Sequence, residues 1–323
     1  MSDEDARWMG AALALAERGV GRTGVNPAVG CVIVNAGRVV GRGVTAAGGR
    51  PHAEAAALAQ AGDAAAGATL YVTLEPCAHV SARGPACADL VVAARPARVV
   101  VAMRDPDPRT NGRGIARLEA TGIAVRRDVR AEDAARVMAG FLARRLLGRP
   151  RVTLKLATSL DGCIARADGE SRWITGPDAR AHAHLERARA GAILVGRGTF
   201  DADAPMLDVR LPGLEDRGPR RCILSTRDAP EGWERIAAPG AISALTEDEL
   251  LVEGGAGAAA AFLRDDLVDR LLLYRAPVLI GGGRPALGDI GLSALPDAHG
   301  RWRLRDARTL GIDRLEVYER QRN

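Results

Sequence analysis

PHAEAAALAQAGDAAAGATLYVTLEPCAHVSARGPAC, residues 51–87, is the stretch on which the reading of the fold turns. His52 to Ala61 reads as a helix, Thr69 to Leu74 as a strand, and Cys87 to Ala94 as a second helix beginning just after Pro85. His52 and Cys87 therefore both fall at helix starts, where the positive end of the helix dipole favours thiolate and other negative charge. Working outward, Asp3 to Glu17 has helical spacing behind a Ser2 cap, and the apolar runs Val29 to Val34 and Arg38 to Val44 flank Asn35-Ala36-Gly37 as a hairpin. A strand at Ala97 to Ala102, a helix at Gly114 to Thr121 and a strand at Ile123 to Arg127 follow. One long helix, Ala131 to Leu147, then stops at Gly148-Arg149-Pro150. This alternation is an α/β layered pattern with a partly parallel sheet.

A chain of 323 residues exceeds what one core usually supports, so a second domain is expected beyond the Gly-Arg-Pro stop, giving domains at 1–147 and 148–323. The second half restarts the alternation. Strands read at Arg151 to Ala157, Ala192 to Val195, Arg220 to Ser225, Leu250 to Glu253 and Arg270 to Tyr274, with further strand near the C-terminus, and helices at Pro177 to Ala190 and after Gly257. Between Ser225 and Leu250 the chain is short, and one βα element reads as trimmed.

Composition excludes several classes. With 47% hydrophobic and 26% charged residues the chain reads as globular, and its apolar runs, such as Gly257 to Leu263, are far shorter than the roughly 18 residues a membrane span requires. Met-Ser-Asp-Glu-Asp at the start lacks the features of a secretory signal, which points to the cytoplasm. Five cysteines suit metal binding or burial better than a disulfide framework, and Cys31 and Cys222, in apolar strands, read as core. The net charge of +5 comes from Arg interspersed with Asp and Glu, without a basic block carrying aromatics, so neither a nucleic-acid nor a membrane partner is expected. Of 45 basic residues only Lys155 is lysine, which marks it as a position where a compact ammonium is needed.

His52-Ala53-Glu54, then Glu75-Pro76-Cys77 and Cys87, place imidazole and thiolates in the order that zinc takes as ligands, with three protein donors leaving a fourth position for water. Glu54, two residues past His52, is placed to carry a proton from water to a departing amine. The order His-x-Glu then Pro-Cys and a further Cys is the signature of zinc nucleobase deaminases, except that nine residues rather than two separate the cysteines. The loop between them holds His79, a competing ligand ranked behind Cys87. In the second half, Glu253-Gly254-Gly255-Ala256-Gly257 follows a strand and precedes a helix, a turn suited to a pyrophosphate although it lacks the full Gly-x-Gly-x-x-Gly pattern. His182 and His184 show no matched partners in the sequence.

Asn26-Pro27-Ala28-Val29-Gly30-Cys31, Pro51 to Glu54, Thr73-Leu74-Glu75-Pro76-Cys77 and Asp105-Pro106-Asp107-Pro108 with Gly112-Arg113-Gly114 closely resemble the deaminase half of the bifunctional riboflavin biosynthesis deaminase-reductases. Lys155 to Gly162, Gly169 to Thr175, Ile193 to Gly196, Thr199 to Arg210, Glu253 to Gly257 and Ala276 to Gly282 resemble the reductase half. The resemblance implies a cytidine-deaminase-like domain followed by a dihydrofolate-reductase-like domain, pyrimidine ribotide substrates, Zn2+ and NADPH as cofactors, and a homo-oligomer. It further implies that Asn26 contacts the pyrimidine and that Ala157, Trp173, Thr199, Asp203, Ser225, Gly254, Gly255, Ala256 and Gly257 contact NADPH. Ser171, Arg187, Leu207, Arg210 and Glu253 would contact the second substrate, Arg187 and Arg210 through its 5′-phosphate, with Lys155 beside them. The chain departs from the family at Thr45 in place of His, at Asp107 in place of Asn, and in a cysteine loop one residue longer. Those departures motivate one alternative, a working reductase with an impaired deaminase; a nucleic-acid deaminase with an accessory domain is another.

Overall fold

Strands rich in valine and isoleucine alternate with alanine-rich helices in the computed structural model, which describes residues 3–81 and 83–322. The chain divides into two compact units between Gly148 and Arg149. In the first, α1 (Asp3–Gly19) precedes β1 (Gly30–Asn35) and β2 (Arg38–Val44), followed by α2 (Ala53–Ala61), β3 (Thr69–Val72), α3 (Cys87–Ala94), β4 (Arg98–Val101), α4 (Arg113–Ala120) and β5 (Ala124–Arg126). The sheet runs β2-β1-β3-β4-β5; the hairpin strands are antiparallel and β3, β4 and β5 parallel. The proposed Ser2 cap lies outside the described residues.

Strand β2 explains how α2 comes to lie so close. Gly41 and Gly43 alternate on one face of the strand, and a Cβ on them would stand 2.3 Å from the Ala57 carbonyl oxygen and 2.2 Å from that of Ala53. Any side chain there would lift the helix from the sheet. On the other side of the chain's first turn, buried Asp5 of α1 accepts hydrogen bonds from Arg98 at 2.9 and 2.8 Å, from Arg126 at 2.6 Å and from the Tyr71 hydroxyl at 3.1 Å, tying the helix to β3, β4 and β5.

The single helix expected over Ala131 to Leu147 is two, α5 (Ala131–Val137) and α6 (Ala139–Leu147), because Met138 leaves helical geometry at φ −101°, ψ 20° with its side chain in the core. Met138 N–H still reaches the Ala134 carbonyl at 3.1 Å and Leu142 N–H the Met138 carbonyl at 2.9 Å, so the break is a kink, and Gly148 ends it at φ 69°.

The second unit contains β6 (Arg151–Thr158), β7 (Cys163–Ala165), α7 (Pro177–Arg189), β8 (Ala192–Gly196), α8 (Arg197–Asp203), β9 (Arg220–Leu224), β10 (Glu234–Ile236), β11 (Glu249–Val252), α9 (Ala256–Arg264), β12 (Arg270–Arg275), β13 (Arg284–Pro285), β14 (Trp302–Leu310) and β15 (Asp313–Arg320). Eight strands order as β10-β9-β8-β11-β6-β12-β15-β14, the first six parallel and the last two antiparallel, while β7 and β13 form a small ribbon. Parallel strands place their carboxyl ends at one edge of the sheet, which collects Ser159, Gly196, Ser225 and Glu253. The short segment before β11, read as a trimmed βα element, keeps a strand, β10, followed by a 3-10 turn at Pro239–Ala244. Helix α9 begins at Ala256, earlier than the glycine count suggests, so Ala256 and Gly257 belong to its first turn.

Replacing Gly43 with Ala should lower stability by about 1–3 kcal/mol, the usual cost of overpacking, and should also weaken zinc retention because α2 carries the site. Denaturant unfolding together with metal analysis checks both; an unchanged midpoint would show that the helix relaxes freely.

Candidate active sites

Two helix starts and a strand end converge in the first unit. His52 is the N-cap of α2, Cys87 opens α3, and Cys77 follows β3 by way of Leu74, Glu75 and Pro76. Their ligand atoms lie within 4.8 Å of one another, with His52 Nδ1 3.3 Å from Cys87 Sγ and 3.7 Å from Cys77 Sγ. Three soft donors on this span suit zinc, whose bonds to sulfur and nitrogen run about 2.3 and 2.0–2.1 Å. The Cys87 thiol and backbone N–H both support Cys77, the latter at 3.2 Å, and hold its thiol well below the usual range; Cys87 correspondingly rises. His79 turns instead toward the Thr110 hydroxyl at 3.5 Å, outside the cluster.

Glu54, in the first turn of α2, is buried against this cluster. Burial first and the Cys77 charge second push its carboxyl up to about 7, where it exchanges a proton readily at neutral pH. A cavity of about 210 Å³ opens over Glu54 and the three ligands and includes Asn26, Thr45 and Asp107 in its wall. Thr45, in the family's His position, faces the backbone and accepts the Val29 N–H at 3.0 Å. Asp107 is clamped by Arg109, at 3.0 and 2.7 Å, with Arg145 at 3.7 Å; Arg109 chiefly holds its carboxyl well below the usual range against the effect of burial. Arg104 donates to the Asn111 carbonyl at 2.9 Å and takes no part in that pair.

Sequence reading quoted Glu75 without assigning it a role. Buried at the end of β3, it accepts backbone N–H groups of Asp105 at 3.2 Å, Gly112 at 2.9 Å and Ile115 at 3.1 Å, so it pins the loop that walls the cavity. Its position inside the Glu-Pro-Cys motif was the only available signal.

In the second unit, Glu253 leaves β11 and meets two cations. Arg187 donates Nε and Nη2 to its two oxygens at 2.7 and 2.9 Å, and Lys155 Nζ lies 3.7 Å away. Burial alone would raise this carboxyl, yet Lys155 and then Arg187 pull it down to about 2. Arg187 also donates Nη1 to the Asp208 carbonyl at 3.0 Å, so three of its donors are engaged by the protein; exposed Arg210, with Nε on Asp208 at 3.0 Å, keeps its outer donors toward solvent. Thr199 accepts the Gly255 N–H at 2.9 Å, and no side chain caps the first turn of α9. That bare helix start, where a Cβ on Gly255 would crowd the Thr199 hydroxyl at 3.0 Å, fits a phosphate group of a nucleotide. Ser225 accepts Arg197 Nε at 3.1 Å, Asp203 lies beside Arg172 through its carbonyl at 3.1 Å, and exposed Trp173 stacks under the Arg180 guanidinium at 4.9 Å. Ala157 and Ser171 are partly buried and Leu207 is buried. His182 and His184 do have partners, the Tyr274 hydroxyl at 2.7 Å and the Asp208 carbonyl at 3.1 Å.

Residues 2–103 match the family model of the cytidine and deoxycytidylate deaminase zinc-binding region, and residues 150–240 and 233–315 that of the RibD C-terminal domain. One chain thus joins a zinc-dependent deaminase of the cytidine-deaminase fold to an NADPH-dependent reductase of the dihydrofolate-reductase fold. Riboflavin biosynthesis protein RibD of Escherichia coli K12 is 38% identical over 360 residues, covering 96% of this chain and 98% of its own, and that of Mycobacterium tuberculosis H37Rv is 40% identical over 324 residues, covering 95% of each. Among solved structures, Acinetobacter baumannii RibD, form 1, aligns with a TM-score of 0.89 at 35% identity over 98% of this chain and 99% of that one. The Thermotoga maritima diaminohydroxyphosphoribosylaminopyrimidine deaminase/5-amino-6-(5-phosphoribosylamino)uracil reductase aligns at 0.88 and 28%, with the same coverage. The chain belongs to the bifunctional RibD family of riboflavin biosynthesis and acts on small pyrimidine substrates. Among the described residues no helix is long and apolar enough to cross a membrane.

Cys87→Ser should abolish stoichiometric zinc in the purified protein whereas His79→Ala should leave it in place, as read by elemental analysis. Zinc lost from the His79 variant and retained in the Cys87 variant would reverse the ligand assignment.

Proposed function

We propose that the first unit hydrolyses the 2-amino group of 2,5-diamino-6-ribosylamino-4(3H)-pyrimidinone 5′-phosphate, and that the second reduces the ribosyl group of 5-amino-6-(5-phosphoribosylamino)uracil to ribityl. The observation that carries the first half is the cluster of His52, Cys77 and Cys87 within 4.8 Å of one another, with Glu54 buried beside it. His52, Cys77 and Cys87 would hold the zinc, which would supply the activation of water at neutral pH. Glu54 is placed to accept a proton at its carboxylate and to donate one to the amine that leaves as ammonia; a carboxyl held near 7 serves as both base and acid. Asn26, whose Nδ2 donates to the Thr23 carbonyl at 3.3 Å, orients the pyrimidine from the cavity wall.

For the second half, NADPH bound in the second unit would be the source of the hydride that reduces C1′ of the ring-opened ribose. The amides at the start of α9, with Gly254 to Gly257 and Thr199, hold a phosphate of the cofactor; Ala157, Trp173, Asp203 and Ser225 lie along the rest of its path. Glu253 stays charged and accepts from substrate hydroxyls while Arg187 fixes its position, Lys155 keeps positive charge beside the reacting end, and Ser171, Leu207 and Arg210 complete the substrate wall. The chain works in the cytoplasm as a homo-oligomer, without nucleic-acid or membrane partners. An impaired deaminase draws no support from Thr45 or Asp107, since the first is satisfied by the backbone and the second is neutralised by Arg109.

Glu54→Ala should stop ammonia release from the diaminopyrimidine ribotide, a loss of at least about a hundredfold as for other acid-base groups, and should spare NADPH oxidation on the already deaminated substrate. A chelator should reproduce the same split in the wild type. If a folded Glu54 variant loses both activities, the assignment of one chemistry to each unit fails.

A further inference from the structure

Four guanidinium groups face the zinc cavity, those of Arg50, Arg83, Arg109 and Arg145. Two of them share one carboxylate. Arg109 grips Asp107 through Nε and Nη2 at 3.0 and 2.7 Å, and Arg145 lies 3.7 Å from the same carboxylate and 5.4 Å over the Phe141 ring. Among the described residues, Arg50 and Arg83 have no carboxylate within ion-pair distance; their partners are neutral. Arg50 donates Nη2 to Ser81 Oγ at 3.2 Å, the Arg83 backbone N–H donates to the same oxygen at 3.2 Å, and Arg83 Nη2 donates to the Gly48 carbonyl at 2.9 Å. These bonds hold both side chains in place without cancelling their charge. The wall continues to the pyrimidine contact, because Gly49 packs so tightly on Asn26 that a Cβ would stand 1.9 Å from its Nδ2.

We infer that Arg50 and Arg83, bridged by Ser81, form the site that receives the 5′-phosphate of the deaminase substrate. The inference rests on the deaminase reading above and adds where the charged end of the ribotide lies. A phosphate monoester carries about −1.5 to −2 at neutral pH, and a pair of forked guanidiniums matches that charge and its oxygen geometry. On the wall bearing Asp105 and Asp107, the cations Arg109 and Arg145 are already engaged with the Asp107 carboxylate, whereas Arg50 and Arg83 face the cavity with neutral partners.

The test compares ammonia release from the diaminopyrimidine ribotide and from its dephosphorylated riboside, as the ratio of the two kcat/KM values, in wild type, Arg50→Ala, Arg83→Ala and Arg50→Lys, each with zinc content measured. The wild type should favour the ribotide, and each alanine variant should lower that ratio roughly ten- to hundredfold, the scale of a charge-assisted hydrogen bond; Arg50→Lys should restore part of it. Inorganic phosphate should compete with the ribotide in the wild type and less so in Arg50→Ala. An unchanged ratio with both substrates equally slowed would show that the two arginines only shape the loop, and would overturn the inference. A wild type that deaminates neither compound would instead overturn the deaminase reading itself, and the assigned ligand with it.

Discussion

The close seat of α2 on β2 is the constraint from which the first active site follows. Because Gly41 and Gly43 carry no side chain, the backbone carbonyls of Ala57 and Ala53 can rest directly on the strand. The N-terminus of the helix is then fixed relative to the sheet, and His52 and Glu54 with it. Cys77 comes from the sheet itself, after β3, so a displacement of α2 by even an ångström would separate a zinc ligand from its partner thiolates. Helix α3 brings Cys87 in by its first residue, so two helix starts face the same point. Their positive ends favour the negative charge that a Cys77 thiolate and an ionised Glu54 place in a buried site.

Electrostatic tuning then separates the roles of groups that are chemically alike. Four carboxylates border the zinc cavity, and each has a different fate. Glu75 is surrounded by three backbone N–H donors and acts as a structural pin. Asp107 is paired with Arg109 and stays ionised, whereas burial lifts Asp105 to about 6 and Glu54 to about 7. Only Glu54 is both poised to exchange a proton and adjacent to the metal ligands. In the other unit Glu253 moves the opposite way, down to about 2, because Lys155 and Arg187 face it. One glutamate suits proton transfer and the other suits fixed negative charge, and their neighbours make the difference.

Local chemistry made the zinc site readable in the sequence. Zinc demands particular residue types in order, and Pro85 ahead of Cys87 signals the helix start that favours Cys87 over His79. Glycine spacing likewise announces the bare start of α9, though not its first residue. What stayed hidden depends on partners distant in the chain. Asp5 reads as an ordinary acidic residue of a first turn, yet its partners are Tyr71, Arg98 and Arg126. Nothing local in the sequence announces that Arg187 grips Glu253, 66 residues later, through Nε and Nη2. The kink at Met138 had only a weak signal, Gly140 two residues on, in a stretch whose other residues suit one continuous helix.

The lone lysine shows how far composition can be pushed before geometry resists. Throughout the chain arginine serves wherever a cation is needed, including the bidentate grip on Glu253 from Arg187. Both carboxylate oxygens of Glu253 already accept from that fork, and Lys155 adds a compact ammonium beside them where an arginine would bring a planar group with five donors. The Lys155 ammonium stands 3.7 Å from that carboxylate, and its charge also lies 6.0 Å from the centre of the Tyr274 ring, a face that attracts a compact cation. A single ammonium donates in any direction from one point, whereas a guanidinium donates only in its plane, and that difference in shape is the physical contrast between lysine and arginine beside the buried carboxylate on which the reductase site is organised.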